Sequence, residues 1–175
     1  MRSAEPFVLR VIVGGVLLVF VVYMFIVTGV IAPFLGGYNI DDSEYEHREI
    51  HVVDAETAES KAEVTVGVAD TWTKRYVGLS NTPTLPHSHG LLFEHDHPGE
   101  QTYVMRGMEY PIDIIFIDES GTITTIHEAP PPSHPLLGWR DRYSGTGQFV
   151  LEVPGNWSTT HSVSPGDRVR GHTHE

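Results

Sequence analysis

The chain has 175 residues, no cysteine and a formal net charge of −12 at neutral pH. That length suits one globular domain with an appendage, and the charge argues against a nucleic-acid partner, because phosphates would be repelled. Without cysteine there is no disulfide, thiolate zinc site, thiol nucleophile or lipidated cysteine anchor. Only Lys61 and Lys74 are lysine, and the other basic residues are arginine. An acidic, lysine-poor composition suits concentrated salt, where screening removes self-repulsion, and it also suits an ordinary acidic domain.

Val11 to Ile31 carries no charge. About 20 apolar residues span a bilayer core, whereas the apolar part of a cleavable signal is about 7–15 residues long. The run therefore predicts a retained single transmembrane helix, with the pairs Thr28-Gly29 and Ile31-Ala32 leaving a cleaved signal open. Arg2 and Arg10 precede the run, and Asp41, Asp42, Glu44 and Glu46 follow it. This asymmetry places the N-terminus in the cytoplasm and the remainder outside. The expected organisation is a cytoplasmic N-terminus and membrane helix over 1–32, an acidic linker over 33–48, a β-rich extracytoplasmic domain over 49–171 and a tail over 172–175.

Within the domain, Ile50-His51-Val52-Val53 and Val64 to Val68 read as a hairpin around the polar stretch Glu56 to Lys61. Asp70-Thr71 offers a helix cap. Trp72, Arg75, Tyr76 and Leu79 then fall at helical spacing on one face, and Gly78 suits termination. Arg75 on an apolar face needs an acceptor, because an unpaired buried charge is expensive. Asn81 to His89 is a loop, Gly90 to Glu94 a short strand, His95 to Gly99 a turn and Gln101 to Met105 another strand. Ile112 to Ile117 is a strand apolar on both faces, with Ile112, Ile114 and Phe116 on one side and Asp113, Ile115 and Ile117 on the other. Gly121 to Ile126 returns beside it, and the proline-rich Glu128 to Pro135 forms an extended loop. Gly147 to Val153 is a strand with Phe149, Leu151 and Val153 inward and Glu152 opposite. The last strand lies within Val163 to Arg170. Many short strands and one short helix predict a mainly-β fold, a compact β-sandwich or a distorted barrel.

Met105-Arg106, Pro111 to Asp118 and Gly121 resemble the central motif of the domain of unknown function 192 family. Arg75-Tyr76-Val77-Gly78-Leu79, Gly90-Leu91-Leu92-Phe93 and Val150 to Gly155 with Gly166-Asp167 agree in order and spacing. The resemblance covers roughly Glu63 to Arg170 and implies a compact mainly-β fold with no agreed reaction. Where the family usually has an aromatic-Trp-Met-Lys-Asn-Thr run, this chain has Tyr103-Val104-Met105-Arg106-Gly107-Met108.

Asp113 and Glu152 are the candidate catalytic carboxylates, either as an acid/base pair or as counter-ions to Arg75 or Arg106. A direct pairing of Asp113 with Arg75 or Arg106 would satisfy both charges. Arg75, Met105, Arg106 and Asp113 are the candidate binding residues. The pairs His87/His89, His95/His97 and His172/His174 have metal-ligand spacing but fall in predicted loops or the tail, so no metal is expected. No phosphate loop or serine elbow is present, and no cofactor is expected. The Pro130-Pro131-Pro132 loop with Trp139 and Tyr143 either rims a groove for a glycan, peptide or envelope protein or is a stiff connection. Asn156-Trp157-Ser158 is a glycosylation sequon. Two classes follow: a membrane-anchored binding or accessory module of the envelope, and an envelope hydrolase using Asp113 and Glu152.

Overall fold

The computed structural model describes residues 42–134, 138 and 140–173, together with Gly15, Leu18 and Val19. The chain divides into two units, 1–39 and 40–175. Of the first, Gly15, Leu18 and Val19 are helical. Otherwise the expected membrane helix over Val11 to Ile31, and the orientation read from its flanks, lie outside the described residues. Among the described residues no helix is long and apolar enough to cross a membrane.

Among its described residues the second unit holds seven strands: β1 (Glu46–Val53), β2 (Ser60–Ala69), β3 (His89–Val104), β4 (Ile112–Ile117), β5 (Ile123–Ala129), β6 (Arg142–Pro154) and β7 (Arg168–Arg170), with the short helices α1 (Trp72–Val77) and α2 (Trp157–Thr160). They form one sheet in the order β5-β4-β6-β3-β2-β1-β7. β1 begins inside the stretch read from sequence as acidic linker. At the far end, His172 packs edge-on against Phe149 and accepts from Arg48 through its carbonyl, although it belongs to the expected tail.

The expected hairpin is present, with β1 antiparallel to β2. β2 and β3 run parallel, which requires a crossover, and α1 lies in it. Thr71 caps α1 by accepting from the Lys74 amide, and Gly78 ends the helix at φ 52°. The predicted strand–turn–strand over 90–105 is a single strand, β3. Its register against β6 shifts between Glu94 and Gly99, so the expected turn at His95 is a bulge and not a reversal.

The sheet curls until its edge strands meet. Thr122 bridges Arg168, the Ile123 amide donates to the Asp167 carbonyl at 2.9 Å, and the Val169 amide donates to the Gly121 carbonyl at 2.7 Å. The sandwich alternative is therefore corrected: there is one curled, half-barrel sheet, not two packed sheets. Every strand sends residues to the inner core, among them Ile50, Val64, Leu92, Ile115, Ile123, Leu151 and Val169. A second apolar cluster, including Phe93, Met105, Met108, Ile114, Phe116 and Val150, covers the outer face. Both lysines are tied down, Lys61 to Asp54 and Asp167 and Lys74 to Asp70.

Gly121 sits at the seam with φ 83°, and an added Cβ would lie 2.6 Å from the Val169 carbonyl oxygen. Gly121→Ala should therefore cost at least about 2 kcal/mol, from left-handed strain together with a displaced edge contact. Denaturant unfolding checks this, and a midpoint equal to wild type would show that the seam carries no stability.

Candidate functional site

β4 decides which polar groups can meet. Cross-strand neighbours share a face. Asp113 lies opposite Val153 of the inner core, whereas Glu152 lies opposite Ile114 of the outer core. The two candidate carboxylates therefore project to opposite sides of the sheet. They share no cleft, so an acid/base pair between them has no geometry to work in.

Asp113 is fully buried. Its Oδ1 accepts from the Asn156 amide at 3.0 Å and its Oδ2 from the Ser158 amide at 2.8 Å. These donors open α2, where Asn156 adopts a left-handed φ of 64°. Asp113 thus pins the turn after β6 to β4. The expected pairing of Asp113 with Arg75 or Arg106 is corrected, because backbone amides satisfy the carboxylate. Arg75 donates through Nη1 to the carbonyls of Asp70 and Glu94, both at 2.7 Å. Arg106 donates through Nη2 to the Tyr76 carbonyl at 2.6 Å, and its guanidinium carbon lies 4.4 Å from the Tyr76 ring centroid.

The two arginines and Glu152 instead line one cavity of 320 Å³ on the outer face, between α1 and the β3–β6 pair. Aromatic rings make its walls. Trp72, 60% exposed, stacks on Tyr76 with centroids 5.3 Å apart, and Phe93 meets Tyr103 edge-on at 4.9 Å. The bulge in β3 brings His95 round so that its Nε2 lies 2.9 Å from the Tyr103 hydroxyl. Ser80 donates to the Arg106 carbonyl at 2.8 Å and fixes the far wall. Met105 does not reach this space; it is fully buried in the outer core.

Glu152 is the unusual group. It is 5% exposed and lines the cavity, and its carboxyl makes no hydrogen bond or ion pair with any described residue. Burial alone pushes its carboxyl up to about 8, so it holds its proton at neutral pH. Burial, reinforced by the neighbouring Glu152 charge, also raises the Tyr103 hydroxyl, and it pushes Tyr110 up to about 12. Burial, and then the Arg75 charge, lower the His95 imidazole, which is neutral at pH 7. At that pH the lining therefore carries the two guanidinium charges and no negative one, inside a chain of net −12.

Sequence reasoning had singled out Arg75, Arg106 and Glu152, but not as one site. It missed Tyr103 and His95, whose only sequence signal was a histidine cluster beside a strand. None of the H-x-H pairs forms a three-ligand group among the described residues. The group with suitable spacing there is Glu49, His51 and Glu63 on the β1–β2 hairpin. In it His51 lies 3.1 Å from Glu49 and 3.7 Å from Glu63, an ordinary contact between surface side chains. Trp139, expected at the rim of the proline loop, lies outside the described residues, and Tyr143 packs on the outer core.

A model of the DUF192 family, described as "Uncharacterized ACR", matches residues 53–171. No curated protein matches the chain. Among solved structures, a candidate transcription regulator from Sinorhizobium meliloti 1021 is similar at 25% identity and TM-score 0.66, covering 77% of this chain and 98% of that one. A protein of unknown function from Novosphingobium aromaticivorans DSM 12444 is similar at 21% identity and TM-score 0.59, covering 77% and 99%. The second likeness concerns the fold alone.

Proposed function

The chain belongs to the DUF192 family, and from that premise we propose that its domain is a ligand-binding module, held at a membrane by the Val11 to Ile31 segment and displayed outside the cell. The observation that carries the binding reading is Glu152, a nearly sealed carboxyl with no protein partner, aimed into a cavity that two arginines also line. A buried polar group left without a partner costs about 1–3 kcal/mol. A site that maintains such a group is preorganised for a ligand to complete it. The cavity volume falls at the lower end of the usual range for small-molecule sites, about 300–1,000 Å³. Hydrolysis by Asp113 and Glu152 is not supported, for they face opposite ways. Contact with a nucleic acid is opposed by the net charge of −12.

The membrane placement rests on the length of the apolar run and the positive charge before it. Protease added to whole cells should remove the domain and leave a small N-terminal fragment; a domain protected until lysis reverses the orientation. Binding is tested by thermal-shift screening of the full-length protein against envelope glycans, peptides and small metabolites. Hits should lose their shift in Arg106→Met and in Glu152→Leu. Hits that survive both changes place binding elsewhere.

A further inference from the structure

The outer-face cavity is selective in charge as well as in shape. Its guanidiniums are the fixed charges of the lining, and Arg75 is only partly engaged: Nη1 serves two carbonyls, while Nε and Nη2 make no hydrogen bond with any described residue. A guanidinium with an open edge suits the two oxygens of a carboxylate. The walls between them are aromatic, Trp72 and Tyr76 on α1 facing Phe93 and Tyr103 on β3. A flat apolar body gains from such walls, through burial and edge contacts. Glu152, on β6, lies within electrostatic reach of Tyr103 from β3 and Tyr110 from the segment before β4; Arg75, Tyr76, Arg106 and His95 are the other charged or titratable groups of the lining. No lining group supplies Glu152 with a cation in contact, and an ammonium ligand would share the cavity with two guanidiniums.

We propose that this cavity takes a small aromatic or apolar organic carboxylate, with the ligand carboxylate on the open edge of Arg75, its body against Tyr76, Phe93 and Tyr103, and the Glu152 carboxyl donating to a second polar atom of the ligand. The assignment rests on the binding-module reading and supplies its ligand class. It also sets a pH dependence. Above about 8, where Glu152 loses its proton, a negative charge enters the cavity and repels the ligand. Burial keeps His95 neutral through this range and holds the Tyr103 and Tyr110 hydroxyls protonated.

The test is calorimetric titration of the full-length protein with phenylacetate, phenethylamine, 2-phenylethanol and phenyl phosphate. Phenylacetate should bind tightest, and Arg75→Lys, which keeps the charge and loses the fork, should weaken it by about tenfold. Wild-type affinity should fall as pH rises through about 8, and Glu152→Gln, which keeps a donor and cannot ionise, should abolish that fall. Circular dichroism of both variants keeps misfolding distinguishable from lost binding. Tighter binding of phenethylamine, lost in Glu152→Gln, would overturn the anion assignment and leave the cavity as the site. Tighter binding of phenyl phosphate would overturn the carboxylate class. If none of the four binds while the broader screen yields hits sensitive to Arg106→Met, the class fails and the module stands; if the screen is also empty, both fall.

Discussion

Glu152→Gln should raise the stability of the folded domain at pH 7 by up to about 3 kcal/mol and remove most of its pH dependence between about 5 and 8. Glutamate carries an ordinary value of 4.5, and burial in the outer core pushes Glu152 to about 8. Between those values the folded protein holds a proton that the unfolded chain has released. Stability from this group is therefore complete below about 4.5 and is lost progressively as pH rises towards about 8, at roughly 1.4 kcal/mol per pH unit. Glutamine has no proton to lose and removes that gradient. Against a usual total of about 5–15 kcal/mol, the effect is a large share of stability. Urea unfolding of the two proteins across pH 5 to 9 measures it directly. Parallel curves would mean that Glu152 ionises in the folded state at its ordinary value.

Asp113→Ala should be among the most damaging single changes, costing about 3–5 kcal/mol, since hydrogen bonds to a charged group contribute about 1.5–3 kcal/mol each. It strands two amides, those of Asn156 and Ser158, at a turn where Asn156 already holds a left-handed conformation. Asp113→Asn keeps one acceptor oxygen and turns an amide group towards a backbone donor, so it should lose about half as much. Changing Arg75 or Arg106 to methionine in the Asp113→Asn background should rescue nothing, because neither arginine touches Asp113. Recovery of stability in either double variant would restore the ion-pair reading and contradict the backbone cap.

Trp72 and the bulge in β3 show how the site is assembled. α1 exists because β2 and β3 run parallel and need a crossover, and its N-cap and C-cap are both local, at Thr71 and Gly78. The bulge at Glu94–Gly99 then turns His95 towards Tyr103 on the same strand. The cavity lies between α1 and the β3–β6 ladder, so α1 supplies one wall, the bulge supplies His95, and the paired residues of the ladder supply Phe93, Tyr103 and Glu152.

The sequence by itself determined what depends on neighbours along the chain. Alternation in Ile112 to Ile117 assigned Ile114 and Phe116 to one face and Ile115 and Ile117 to the other, and the structure divides them between its two cores in that way. The β1–β2 hairpin, the capped helix at Trp72 and the strand through Phe149 to Val153 were legible for the same reason: period and turn chemistry act within a few residues. The same alternation set Glu152 opposite its inward neighbours. What only the tertiary structure decided was partnership. A fully buried carboxylate must be satisfied, but the sequence offers arginines and backbone amides alike. Asp113 meets donors more than 40 residues away because the β4–β6 register brings the start of α2 to it. Glu152 shares a cavity with the two arginines, without pairing with either, because the sheet curls and a crossover helix lies over its outer face. Strand register and curl are properties of the whole sheet, and they turned a pair of candidate carboxylates into a structural pin on one face and a binding group on the other.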